Sequence, residues 1–212
     1  MSTLLYKCES LTSIDVSTWD TGKNTNFYSI FEGCKNLTEI NVSGWNTSTA
    51  LNFQRMFCNC ALVTELDFTN WTTPKAQIIN SMFEGCSSLI NVVGLNNLDV
   101  TKVTVMNSLF RGCSRISELD LSSWDVSAAG DVNYLFSGCD LLSELRFMKG
   151  VHTNLSVKDC NYLSKESLLS IINNLEEVND GNPMLTLGEL NYSKLSVEDI
   201  ALITNKGWSV SV

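Results

Sequence analysis

The sequence predicts a mixed α/β solenoid, with a parallel sheet along one face and short helices along the other. Three observations carry that expectation. Six cysteines, Cys8, Cys34, Cys60, Cys86, Cys113 and Cys139, recur at intervals of 26, 26, 26, 27 and 26 residues. A short apolar pattern with strand-like alternation follows each of them. A second pattern, spaced i, i+3, i+4 and i+7, precedes all but the first two in complete form. A fixed period of this size marks a chain built by copying one unit, each copy burying its apolar side against the next.

The strand pattern is L-x-x-L-x-L. Its instances are Leu11, Ile14 and Val16; Leu37, Ile40 and Val42; Val63, Leu66 and Phe68; Ile116, Leu119 and Leu121; and Leu142, Leu145 and Phe147. Each ends in the alternation of a strand buried on one side. A tryptophan stands three residues beyond four of them, as Trp19, Trp45, Trp71 and Trp124. An aromatic recurring in register reads as a stacked core rather than a ligand platform.

The other half of each unit carries Phe27, Ile30, Phe31 and Cys34, then Phe53, Met56, Phe57 and Cys60, and onward in the same spacing to Val132, Leu135, Phe136 and Cys139. This spacing predicts one face of a short helix. Gly33, Gly85, Gly112 and Gly138 precede the cysteine, where a helix end favours positive φ. The fourth unit has 27 residues and places Leu98 where tryptophan is expected, so an insertion absorbed as a bulge is predicted near Gly94.

Residues 1–150 therefore form the array, and residues 151–212 a C-terminal capping unit continuous with it. In the latter, Ser164 is a candidate N-cap for an apolar-faced helix, residues 179–183 break the chain, Met184 to Leu187 reads as a strand, and Ser196 with Asp199 predicts a capping box. At the other end Met1, Leu4, Leu5 and Cys8 match Met106, Leu109, Phe110 and Cys113, so the chain begins inside a unit. Its apolar N-terminal edge is expected to lie open, covered by upstream repeats or by another subunit.

These units resemble the leucine-rich repeats of the BspA-like family of bacterial surface proteins, whose consensus runs close to M-F-x-G-C-x-x-L-x-x-L-D-L-S-x-W-D-T-S. The residues that carry the resemblance are LFRGCSRISELDLSSWDVS (109–127), SIFEGCKNLTEINVSGWNTS (29–48) and SMFEGCSSLI (81–90). The tail at 185–208 resembles the segment that closes such arrays in gut-bacterial and gut-phage proteins. The resemblance implies a leucine-rich-repeat solenoid with a non-enzymatic adhesion or recognition role at a cell surface or other extracellular place, binding a protein or glycan. The alternative it implies is a structural or decoration component of a virion or other assembly, docked through the open N-terminal edge.

Composition narrows the partners. The net charge is −9 with no Lys/Arg cluster, so nucleic acid is not expected. No apolar run reaches the roughly 20 residues that span a bilayer, and no secretion signal is legible in MSTLLYKCES. The eight cysteines read as buried free thiols, because chains of this length need no disulfide framework and stacked units set their Cβ vectors parallel. Cys58 and Cys60 have no second pair at zinc-ligand spacing, so no metal centre is expected.

Catalysis finds no support either. His152 is the single histidine, and no nucleophile elbow, phosphate loop or dinucleotide fingerprint occurs, so neither enzyme nor cofactor is expected. The candidate site is the outward side of the strands. There Glu39, Glu65, Glu118 and Glu144 are expected to stack in one column and Asp15, Asp67 and Asp120 in another, beside Asn41. Three readings stay open for these residues: a solvated sheet face, a recognition surface, or a calcium site. The loops after the tryptophans, WDTGK, WNTST, WTTPK and WDVSA, are rich in hydroxyls and amides, suiting either turns or sugar contacts.

Overall fold

The computed structural model describes residues 2–212; Met1, matched above to Met106, lies outside them. The chain is mixed α/β, with small parallel sheets and few helices. Strands β1 (Ser13–Asp15), β2 (Glu39–Asn41), β3 (Glu65–Asp67), β4 (Asn91–Val93), β5 (Glu118–Asp120) and β6 (Glu144–Arg146) come first. They are followed by β7 (Leu155–Ser156), α1 (Lys165–Asn174), β8 (Met184–Thr186), α2 (Glu189–Tyr192), α3 (Val197–Asn205) and β9 (Ser209–Ser211).

Successive units lie over one another in parallel register. Ile14 pairs with Ile40, Leu66 with Val92 and Leu119 with Leu145. On the far side a second ladder runs Asn26, Asn52, Ile78, Val105, Asp131 without a break. The strand side is different: β1 pairs β2, β3 pairs β4 and β5 pairs β6, but neither β2 and β3 nor β4 and β5 are hydrogen-bonded. The strands therefore come as doublets separated by two gaps.

The expected short helices are absent from residues 2–150. The segment before each cysteine is a row of tight turns instead. Thr3, Ser29, Arg55, Ser81, Ser108 and Tyr134 all have positive φ, which a right-handed helix excludes. Amides in this row alternate in their use. Phe27, Ser29, Phe31 and Gly33 donate to the carbonyls of Asn52, Gln54, Met56 and Cys58 in the next coil, while Glu32 and Cys34 donate back to Ser29 and Phe31. A helix about 10 Å across does not match a strand spacing near 4.8 Å, whereas a turn row bonded upward repeats at the strand spacing. Turns of about three residues also bring every third or fourth side chain inward, which is why the spacing imitated a helix. The glycines before the cysteines do have positive φ, 76° at Gly33 and 73° at Gly85.

The interior is a set of columns. Trp45 and Trp71 stack with centroids 6.2 Å apart and planes 2° from parallel. Phe31–Phe57 and Phe83–Phe110 continue the phenyl column at 5.5 and 5.4 Å. Each indole N–H donates to a carbonyl 29 residues back: Trp45 to Val16, Trp71 to Val42 and Trp124 to Leu95. All eight cysteines are free. The thiols form a ladder of their own: Cys60 donates to the Phe31 carbonyl and Cys86 to that of Phe57, both at 3.1 Å, as do Cys34, Cys113 and Cys139 to their counterparts. Burial pushes Cys34 up to about 11 and Cys58 and Cys160 to about 12, and lifts Cys60, Cys86, Cys113 and Cys139 well above the ordinary thiol range.

The fourth unit absorbs its extra residue at Gly94, which has φ 76° and opens a single 3-10 turn over Leu95–Asn97 rather than a strand bulge. A side chain there is barred, since a Cβ would come within 2.7 Å of the Phe68 and Thr69 backbone. Leu95 thereby takes the place that Phe68 holds one unit earlier. Leu98 sits half-buried where the indole is missing, beside a void of about 10 Å³ lined by Trp71, Val100, Leu109 and Trp124.

Beyond Cys139 the interval shortens, and Cys160 keeps the thiol ladder with a 3.5 Å bond to the Phe136 carbonyl. Ser164 caps α1 by accepting from the Ser167 amide. Helix α3 opens with a capping box between Ser196 and Asp199. Strands β7, β8 and β9 form one parallel sheet. No helix among the described residues is long and apolar enough to cross a membrane.

Candidate binding face

Each array strand is three residues long, its middle side chain inward and its first and third outward, so the face is set by two positions per unit. Read in order, the first positions are Ser13, Glu39, Glu65, Asn91, Glu118 and Glu144, and the third positions Asp15, Asn41, Asp67, Val93, Asp120 and Arg146. The expectation of two stacked acid columns is thus corrected. Within the bonded doublets Glu39 faces Ser13, Glu65 faces Asn91, Asp67 faces Val93 and Asp120 faces Arg146. Only Glu118 and Glu144 set acid against acid. Asp120 is neutralised by Arg146 at 3.2 Å.

The Asp column has an internal task. The Oδ1 atoms of Asp15, Asn41, Asp67 and Asp120 accept the amides two residues on, from Ser17, Ser43, Thr69 and Ser122. These are Asx turns that end each strand. They hold the acids below the usual carboxylate range: Asp15 through the Ser17 amide first, Asp67 through the Thr69 hydroxyl first, and Asp120 through the Ser122 hydroxyl first. The signal for this was in the sequence, as the recurring D/N-x-S/T at Asp15–Ser17, Asn41–Ser43, Asp67–Thr69 and Asp120–Ser122.

The post-tryptophan loops are also occupied internally. Asn46 and Asp125 accept the amides and hydroxyls of Ser48 and Ser127. Thr21, Thr47 and Thr73 donate to the carbonyls of Asn46, Thr72 and Asp99 in the following unit. Turn and inter-coil bonding consume much of the polar chemistry that suited a sugar.

The Glu positions remain outward. Glu39 and Glu118 are exposed; Glu65 accepts a long 3.4 Å bond from Asn91, and Glu144 a 3.1 Å bond from Ser164. A groove of about 860 Å³ runs across β4, β5 and β6 over the β4–β5 gap, bordered by Asn91, Asn96, Glu118, Glu144 and Arg146. One wall is α1, through Glu166, Ser167 and Ser170. Sequence reasoning did not place this wall on the face. The Ser167 and Ser170 hydroxyls accept the Leu145 and Phe147 amides at 2.8 and 2.9 Å, which closes the outer edge of β6. A second groove of about 450 Å³ crosses β1, β2 and β3 at Asp15, Glu39, Asn41 and Glu65. No group of three or more His, Cys, Asp or Glu placed to hold a metal ion occurs among the described residues.

Fold and face together define a repeat protein of in-register coils with a polar strand side open to solvent. The profile of a family described as "Mycoplasma protein of unknown function, DUF285" matches residues 1–91 and again 60–146, overlapping as a repeated chain does. These matches cover more than half of the 212 residues, and the chain belongs to that family. No curated protein matches it.

Proposed function

We propose that the chain is a leucine-rich-repeat solenoid of the BspA-like kind, with residues 151–212 as its cap, and that it serves as a non-enzymatic recognition module. The reading places it at a cell surface or other extracellular site, holding a protein or glycan on its strand face. The observation that carries it is the open groove of about 860 Å³ across β4 to β6, where Glu118, Glu144, Asn91 and Asn96 offer acceptors and donors outside the turn bonding. Such a groove does not enclose a reacting group away from water, which favours binding over acid–base chemistry. The test is equilibrium binding of the purified chain to a panel of glycans and surface proteins. Saturable binding lost in Glu118→Lys/Glu144→Lys, with the thermal midpoint unchanged, supports the reading. Binding that survives the double variant refutes this face.

A second reading is favoured by the N-terminal end. Leu5, Cys8, Leu11, Ile14 and Trp19 are only partly buried, whereas their counterparts Phe31, Cys34, Leu37, Ile40 and Trp45 are buried. On that reading the chain is a structural or virion component that docks through this edge.

A further inference from the structure

The open N-terminal face has a directional chemistry that restricts what covers it. Along the turn row every inter-coil bond runs one way: the amide belongs to the earlier coil and the carbonyl to the later one. Leu5 donates to Ile30, Phe31 to Met56, Phe57 to Met82, Phe83 to Leu109 and Phe110 to Leu135. Carbonyls at these positions therefore point toward the N-terminal end. Leu4 and Tyr6 occupy the same positions as Ile30 and Glu32, and their carbonyls accept nothing among the described residues; Ser2 accepts only its neighbour's hydroxyl. The turn side of the face is a row of acceptors.

Elsewhere on the face two donors wait. The Trp45 indole gives its N–H to Val16 and the Cys34 thiol gives its proton to Leu5, each to a carbonyl 29 residues earlier. Trp19 and Cys8 stand in those places with no such acceptor among the described residues. Around them Leu5, Leu11 and Ile14 present the partly buried apolar floor.

We propose that this face receives one further coil of the same repeat, and that it rejects a second copy of this chain. The inference rests on the docking reading above and names its partner. Continuity with the interior interfaces supports it: the same surface, one coil further in, is covered by such a coil with donors above acceptors. Two copies meeting face to face would set the Leu4 and Tyr6 carbonyls against carbonyls, with no amide row to meet either. At the far end of the chain the turn row has given way to helices, α3 among them, whose amides beyond the first turn bond within the helix. That end has no matching donors for a head-to-tail contact.

The test replaces Met1 by a copy of residues 28–53, which runs into Ser2 in register. The copied Ser29, Phe31 and Gly33 amides then lie over the Ser2, Leu4 and Tyr6 carbonyls. The copied Val42 and Phe31 carbonyls lie over the Trp19 indole and the Cys8 thiol. Hydrogen exchange at the Ser13 and Asp15 amides and the Trp19 indole is expected to slow at least about tenfold, and Cys8 alkylation to slow with it. A fusion of the same residues in scrambled order should change neither. Unchanged exchange in the ordered fusion, or equal slowing in the scrambled one, overturns the proposal while leaving the docking reading to other partners. Sedimentation of the unaltered chain gives a second arm that needs no fusion to fold. Monomers are expected; a dimer abolished by Leu11→Asp overturns the proposal and keeps the docking reading.

Discussion

Raising the pH should unfold this protein through its thiols. Seven of the eight cysteines are buried, and burial is the leading cause of every upward shift among them. The unfolded thiol titrates near 9, and Cys34 in the fold near 11. A raised folded pKa stabilises fully below the unfolded value, and that stability is lost as pH climbs from about 9 toward the folded value. One unit above 9 each buried thiol forfeits about 1.4 kcal/mol. Seven acting independently would remove roughly 10 kcal/mol by pH 10, comparable to the whole stability of an ordinary domain. Urea unfolding followed by circular dichroism at pH 8, 9 and 10 measures the slope directly. Cys86→Ala should reduce that slope by about 1.4 kcal/mol per pH unit above 9, even though it lowers stability at pH 7. A slope unchanged in the variant, or stability flat between pH 8 and 10, would refute the assignment of these thiols to a protonated, dry column.

Other outcomes follow from single contacts. Ser167→Ala leaves the buried Leu145 amide without its acceptor and should cost about 1–3 kcal/mol in chemical denaturation, whereas Ser170→Thr should cost much less. Trp71→Ala removes an indole from the middle of the column and should cost about 3–5 kcal/mol, with loss of the near-ultraviolet dichroism of the stacked pair. Gly94→Ala meets backbone at 2.7 Å as well as an unfavourable φ, so its thermal midpoint should fall further than that of Gly130→Ala, which meets nothing. Acid should destabilise the strand ends. The depressed Asp67 and Asp120 contribute stability above the ordinary carboxylate range that is lost as pH falls through their lowered values, and Asp67→Asn/Asp120→Asn should shift the acid midpoint measured by fluorescence.

Much of the architecture was legible because it rests on residues whose chemistry recurs. The cysteine interval located every coil, and the strand triplets and their inward residues fell where the alternation put them. The insertion was placed at Gly94 by counting alone. The helices failed for a physical reason: i, i+3, i+4, i+7 spacing reports which side chains point inward, not where the amides go. The positive φ at Ser29, Arg55 and Tyr134 has no compositional mark, since none of these is glycine. On the binding face, residue identities were read correctly but their neighbours were not. Asn91, Val93 and Arg146 come from a unit with an irregular sequence and from the end of the array, so the acid columns looked more continuous than they are. The α1 wall of the groove was invisible because Ser167 and Ser170 reach the sheet only through tertiary packing.

The unbroken ladder on one side and the paired strands on the other divide the mechanical labour as a book does between its binding and its leaves. Asn26 through Asp131 form the spine, and the breaks after β2 and β4 are where the pages part. Flexing of the rod concentrates at those two breaks, which are the places where the grooves lie. The width available to a guest is therefore set by how far the leaves are spread, and two-coil leaves, not single coils, are the units that move.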